Sequence, residues 1–135
     1  MSSDNAYSQY MENSIYTARP EELTLMLYNG LIKFIMKAQA SLECKDYVHV
    51  NESLQRAQDI ILEFQSTLNM KYELSKSLAL LYDYIYRRLL DVNIKKDNAI
   101  LEEVLGFARE LRDTWAQAIK LARMRDRAQQ SAAYA

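Results

Sequence analysis

The stretch LYDYIYRRLL, residues 81–90, decides the fold because it satisfies two periodicities at once. Its tyrosines fall at every second position, as in a strand, whereas Leu81, Ile85 and Leu89 recur at helical spacing. The helical series extends over residues 74–92, far beyond the five or six residues of an ordinary strand. We therefore predict a helix, on which the alternation of tyrosines is accidental.

The composition favours an all-α fold. The 135 residues include only two glycines and one proline, too few for the many turns of a sandwich or barrel. The formal net charge is −1 and the pI is about 5.9, so no positive field favours nucleic acid as a partner. The single cysteine cannot form an internal disulfide, and no signal-type or membrane-spanning segment is found. We expect a soluble cytoplasmic protein.

Four amphipathic segments with short connections predict an antiparallel up-and-down four-helix bundle. Pro20 suits the first turn of the first helix, and Asp46 and Asp97 suit N-caps of the second and fourth. The helices are expected at about residues 20–43, 46–68, 72–93 and 97–122, after an N-terminal capping segment at 1–19 and before a flexible or frayed helical tail at 123–135.

The expected buried face of each helix follows from a spacing of three and four residues. In chain order, the four buried series are Leu23, Leu27, Leu31, Phe34, Ala38 and Leu42; Tyr47, Val50, Leu54, Ala57, Ile61 and Leu68; Leu74, Leu78, Leu81, Ile85, Leu89 and Val92; and Leu101, Val104, Ala108, Leu111, Trp115, Ile119 and Ala122.

Further apolar residues lie outside these series and predict a partner-binding surface, because contiguous exposed apolar patches usually mark contacts. The alternative is a wide core arc, since each helix of a bundle touches two neighbours. The N-terminal residues Tyr7, Tyr10 and Ile15 are expected to plug the same surface reversibly. The proposed partner-binding residues are Leu25, Tyr28, Ile32, Met36, Ile60, Leu80 and Tyr84.

Three blocks of sequence resemble the FliS-type flagellin export chaperones. They are ARPEELTLMLYNG at 18–30, LYDYIYRRLLDVNIKKD at 81–97 and DTWAQAI at 113–119, within a likeness that covers residues 6–122. The family usually has a serine before the proline of the first block, where this chain has Arg19. Thr17 is an alternative cap.

The resemblance implies a cytoplasmic four-helix bundle that forms a homodimer in some members. Such proteins bind the disordered C-terminal segment of flagellin, prevent its premature polymerisation and deliver it to a membrane protein of the flagellar type III export gate. Their N-terminal segment is thought to cover part of the hydrophobic binding surface. No catalysis is implied.

Catalytic, cofactor and metal sites are not predicted. His49 and Asp46 share a helical face, but a helical di-iron site needs several further ligands. Cys44 lies beside acidic residues that oppose thiolate formation, and Gly30 and Gly106 are expected to permit close helix packing. The competing hypothesis is a dimerising or regulatory bundle without a client, and a helical metal-carboxylate enzyme is a distant third.

Overall fold

The chain forms four α-helices in a computed structural model that describes residues 18–134 and, ahead of them, Gln9 and Asn13 alone. Each helix packs against the next one, and the first also packs against the fourth. With short connections this gives the antiparallel up-and-down bundle, so the predicted fold is confirmed. Nothing in 18–134 is a strand. The helices are α1, Pro20–Glu43; α2, Tyr47–Thr67; α3, Glu73–Lys95; and α4, Asn98–Tyr134.

Aspartates cap two of the helices as predicted. The Asp46 carboxylate accepts the backbone N–H of His49 at 3.3 Å, at the start of α2. The Asp97 carboxylate accepts that of Ala99 at 2.9 Å, at the start of α4. Both bonds satisfy N–H groups that have no partner inside the helix.

The start of α1 lacks such a side-chain cap. Arg19 occupies the capping position before Pro20, and its side chain makes no capping bond. Its carbonyl oxygen instead accepts the N–H groups of Glu22 and Leu23, each at 2.9 Å. The alternative cap, Thr17, lies outside the described residues, as do the predicted plug residues Tyr7, Tyr10 and Ile15.

The core lies between the four helices and follows most of the predicted buried series. Three predicted core positions are exposed instead: Tyr47, Leu74 and Ala122. The first two lie at the beginning of α2 and α3. Ala122 precedes Arg123, whose side chain pairs at 2.7 Å with Glu22 in the first turn of α1. A prediction of burial from apolar spacing assumes that a neighbouring helix packs along the whole length of the element. At the ends of the bundle the neighbouring helices stop, so residues there are exposed.

The fourth helix is longer than predicted. It continues from residue 122, beyond which we expected a flexible or frayed helical tail, to Tyr134, and residues 120–134 are all exposed. Among the residues that the structure describes, no helix is long and apolar enough to cross a membrane.

Candidate functional site

A groove of about 400 Å³ opens at the end of the bundle where α1 begins. All four helices contribute to it. Leu68 and Leu74 border the connection between α2 and α3, and Glu110 is the sole acidic residue among the residues that line it. The other apolar and aromatic lining residues are Tyr28, Phe64, Leu78, Leu81, Tyr82, Phe107, Leu111 and Trp115.

The groove is open because the beginning of α3 is poorly covered. Leu74 is 71% exposed, Leu78 and Leu81 are half-buried, and Ile85 is fully buried. Burial along this face of α3 therefore increases with distance from the start of the helix. The first turns of α3 leave apolar surface in contact with water, which is unfavourable unless another chain segment covers it.

Three stacked aromatic rings form the floor of the groove. Phe64 of α2 stacks on Tyr28 of α1, with ring centroids 4.4 Å apart, and on Tyr82 of α3 at 5.4 Å. The two tyrosine hydroxyls share a buried hydrogen bond of 2.7 Å across the bundle. The floor is thus rigid and apolar, and its polar atoms are satisfied internally.

The floor is also uncharged. Burial raises the pKa of Tyr82 and that of Tyr28, and the hydrogen bond between the two hydroxyls opposes part of the shift at Tyr28. Because a tyrosine with a raised pKa stays protonated, neither hydroxyl becomes an anion near neutral pH. The floor offers shape and apolar area rather than charge.

Trp115 joins one wall of the groove to the beginning of α1. Its indole Nε1 donates to the carbonyl oxygen of Glu21 at 2.8 Å. About two turns further along α4, Arg123 pairs with Glu22. The only N–H of the indole is therefore used, and its half-buried ring presents an apolar surface to the groove.

Two of the predicted partner-binding residues do not face outward. Tyr28 is 5% exposed and Ile32 is 6% exposed, so the expectation of an outward stripe on α1 is wrong at these positions. The physical reason is that α1 packs against both α2 and α4. Its buried arc is therefore wide, and it includes Ile35, which belonged to neither predicted series.

The other five are dispersed over the bundle. Met36 and Leu80 are exposed, whereas Leu25 and Ile60 are half-buried. Tyr84 is half-buried, and its hydroxyl donates to the Glu103 carboxylate at 2.9 and 3.0 Å. Of the seven residues, Tyr28 alone lines the groove. Whether the seven bind a partner stays a prediction.

Sequence reasoning missed the groove because six of its ten apolar and aromatic lining residues belong to the predicted buried series. Leu74, Leu78 and Trp115 fit the buried series, and nothing local to them shows that the helices part at this end. A usable signal was the connection between α2 and α3, whose residues Met70 and Tyr72 are exposed. Two large apolar side chains in a short connection suggest an apolar surface nearby.

The residues that the sequence suggested as candidates for metal binding or catalysis lie on the surface near the start of α2. His49 Nδ1 lies 2.5 Å from the Asp46 carboxylate at the start of α2, and both side chains are exposed. Cys44 is exposed in the connection before it. Within the part of the chain that the structure describes, no three His, Cys, Asp or Glu residues are grouped as metal ligands would be.

Close helix packing is predicted at both glycines, and the structure shows it at only one of them. A Cβ at Gly30 would lie 3.4 Å from Ile60 Cδ1, in agreement with close packing of α1 on α2. A Cβ at Gly106 would meet nothing within 4 Å, so this glycine does not permit close packing inside the bundle. Gly106 is exposed on α4.

Residues 3–122 match the family described as flagellar protein FliS. Flagellar secretion chaperone FliS of Bacillus subtilis (strain 168) is 50% identical over 120 residues, which are 89% of this chain and 90% of that protein. Flagellar secretion chaperone FliS of Salmonella typhimurium is 34% identical, with 83% of this chain and 86% of that protein covered. A solved structure described as a flagellar chaperone from bacteria matches with a TM-score of 0.70 at 23% identity, over 87% of this chain and 98% of that one. The structural match shows the fold.

Proposed function

The chain belongs to the FliS family of flagellar secretion chaperones, and we propose that it binds the disordered C-terminal segment of flagellin in the groove. The relatives are named as chaperones rather than enzymes. In this proposal the bound segment is withheld from polymerisation in the cytoplasm, and the complex is delivered to the membrane protein of the flagellar export gate.

The observation that supports this proposal most strongly is the open apolar groove with an uncharged floor. A disordered segment that carries apolar side chains can bury them against the leucines of α3 and the rings below. Each fully buried side chain contributes about 1.5 to 3 kcal/mol, whereas ordering a disordered segment costs about 2 to 5 kcal/mol or more. A few buried side chains therefore give a stable complex.

We propose further contacts outside the groove for the predicted surface residues. Met36 and Leu80 are exposed and available to the client directly. Leu25, Ile60 and Tyr84 are half-buried and offer part of their side chains. Tyr28 contributes through the floor of the groove, and Ile32 supports it from the core.

In the absence of client, we propose that the N-terminal residues Tyr7, Tyr10 and Ile15 occupy the groove. Thr24 and Tyr28 of α1 line it, so the segment that precedes α1 joins the bundle close to the groove. A covalently attached plug covers the apolar surface at a small entropic cost and is displaced by flagellin. Removal of residues 1–17 is expected to accelerate client binding.

Three substitutions on α3 test where the client binds. Leu74, Leu80 and Ile94 are 71%, 74% and 80% exposed, so a charge at any of them should be tolerated by the fold. Leu74→Glu lies in the groove and should weaken binding of a flagellin C-terminal peptide by about tenfold or more, because a carboxylate would be desolvated there. Leu80→Glu tests the outer surface, and Ile94→Glu is the matched control.

Light scattering and isothermal titration calorimetry of the purified protein with the peptide give stoichiometry and Kd. A one-to-one complex weakened by Leu74→Glu but not by Ile94→Glu supports the groove. Equal effects of Leu74→Glu and Ile94→Glu would exclude it. If no complex forms at tens of micromolar, the competing hypothesis of a regulatory bundle without a client is favoured, since 1 μM corresponds to only about 8 kcal/mol.

A further inference from the structure

A second groove, of about 520 Å³, lies between α1 and α2, and we call it the α1–α2 groove. It shares no lining residue with the groove proposed for flagellin, so it is a separate surface. Three basic side chains and one carboxylate line it, a net charge of +2 with its histidine neutral, whereas the whole chain carries −1. These charged residues are Lys33, Lys37, Arg56 and Glu52, and the histidine is His49.

Phe34 gives the α1–α2 groove an apolar centre. Its ring is half-buried, so part of it stays open to a ligand. The ammonium groups of Lys33 and Lys37 lie 5.9 and 5.7 Å from the centroid of this ring. Contacts of this kind hold a cation beside an aromatic ring. Positive charge is therefore positioned next to an apolar surface before any ligand arrives.

Arg56 supplies the positive charge of the opposite wall, from α2. Glu52, one turn earlier on α2, is the sole acidic residue among those that line the groove. Within residues 18–134, neither Lys37 nor Arg56 forms an ion pair with a carboxylate. A guanidinium pairs strongly with a carboxylate because it can donate two parallel hydrogen bonds. Both cations can therefore accept a carboxylate from another molecule.

We propose that the α1–α2 groove binds an acidic segment of a partner protein, in which carboxylates flank one apolar side chain. The carboxylates pair with Lys37 and Arg56, and the apolar side chain covers the open part of Phe34. From Lys33 to Ser41 the lining extends about 12 Å along α1, which matches about four extended residues.

Two other anionic partners fit the α1–α2 groove less well. A membrane surface is flat and does not reach a floor that lies between two helices. A nucleic acid extends beyond the groove, where a chain with a net charge of −1 provides no positive field for its remaining phosphates. A short acidic peptide needs only the local charge of +2.

Titration of the ¹⁵N-labelled full chain with the blocked peptide Glu-Glu-Leu-Glu-Glu tests the proposal without flagellin. The backbone amide signals of Phe34 and Ser53 should shift, with a Kd on the order of 100 μM to 1 mM. The matched peptide Gln-Gln-Leu-Gln-Gln should bind about fivefold more weakly or less, because it lacks the charges. Raising the salt from about 0.05 M to about 0.5 M should weaken the acidic peptide alone.

Charge reversal locates the site. Lys37→Glu and Arg56→Glu should each raise the Kd of the acidic peptide by about fivefold or more, because an attraction becomes a repulsion, while Lys37→Arg should keep it. Lys120→Glu, at an exposed lysine on α4, is the matched control. Equal weakening by Lys120→Glu, or shifts that leave out Phe34 and Ser53, would overturn the proposal.

A crossed pair of measurements separates this proposal from the flagellin proposal. Leu74→Glu should leave binding of the acidic peptide unchanged, and Lys37→Glu should leave binding of the flagellin C-terminal peptide unchanged, because the two grooves share no residue. Loss of flagellin binding in Lys37→Glu would assign the α1–α2 groove to the client and overturn a separate partner. Tighter binding of a single-stranded RNA oligonucleotide than of the acidic peptide would also overturn it.

Discussion

Tyr28 and Tyr82 belong to different helices, and their shared hydrogen bond of 2.7 Å fixes the floor of the groove. Each hydroxyl is buried, so each depends on the other for a partner. Phe64 lies between the two rings and holds them at stacking distance. At the scale of single residues, the groove is therefore shaped by aromatic packing around one internal hydrogen bond.

Removing one hydroxyl should cost more than removing both. Tyr82→Phe leaves the Tyr28 hydroxyl buried without a partner, so we expect a loss of about 1 to 3 kcal/mol in the free energy of unfolding. The double variant Tyr28→Phe with Tyr82→Phe leaves no orphan and should be more stable than the single one. Urea unfolding measures both, and a double variant whose loss equals the sum of the two single losses would contradict this.

At the scale of the element, α3 and α4 determine what the molecule exposes. The beginning of α3 leaves Leu74 uncovered beside the groove, while α4 extends past the bundle as a helix. In both places part of a helix lacks a neighbouring helix to cover it. The proposed contact with flagellin uses the first of these two places.

Gly106→Ala tests how much this exposed glycine reduces the stability of α4. Alanine favours a helix interior by about 0.5 to 1 kcal/mol over glycine, and the added Cβ would meet nothing within 4 Å. We therefore expect Gly106→Ala to raise the free energy of unfolding by about 0.5 to 1 kcal/mol. Urea unfolding measures the change, and a free energy of unfolding that is unchanged or lower would contradict the expectation.

At the scale of the whole molecule, the burial of the two tyrosines couples folding to pH. Burial raises the pKa of both side chains above the value of 10.0 that they have when exposed. Above that pH the unfolded chain loses protons that the folded chain retains, so folding stability falls as pH rises. Below that pH these two residues add no pH dependence.

We expect the free energy of unfolding, measured with urea from about pH 8 to pH 11, to fall steeply only above about pH 10. The double phenylalanine variant removes both titrating groups and should lose stability more gradually there. Tyr84, whose pKa is raised by its hydrogen bond to Glu103, remains in both proteins and affects them equally. Identical slopes in the two proteins would show that the buried pair is not responsible.

Local patterns of the sequence determined the number of helices, most of their ends and the class of fold. Apolar spacing and capping residues act within a few positions along the chain, so Asp46 and Asp97 could be assigned to their helix starts without coordinates. The blocks that resemble the flagellin export chaperones likewise lie within single segments, and the family membership agrees with them.

Tertiary structure alone decided which apolar residues are covered. Tyr28 and Ile32 are buried because α1 has neighbours on two sides, and Leu74 is exposed because the bundle ends beside it. Both outcomes depend on where other helices lie and how far they extend, which the spacing within one helix cannot specify. The periodicity of a helix fixes which residues share a face, whereas the packing of four helices fixes which faces meet water.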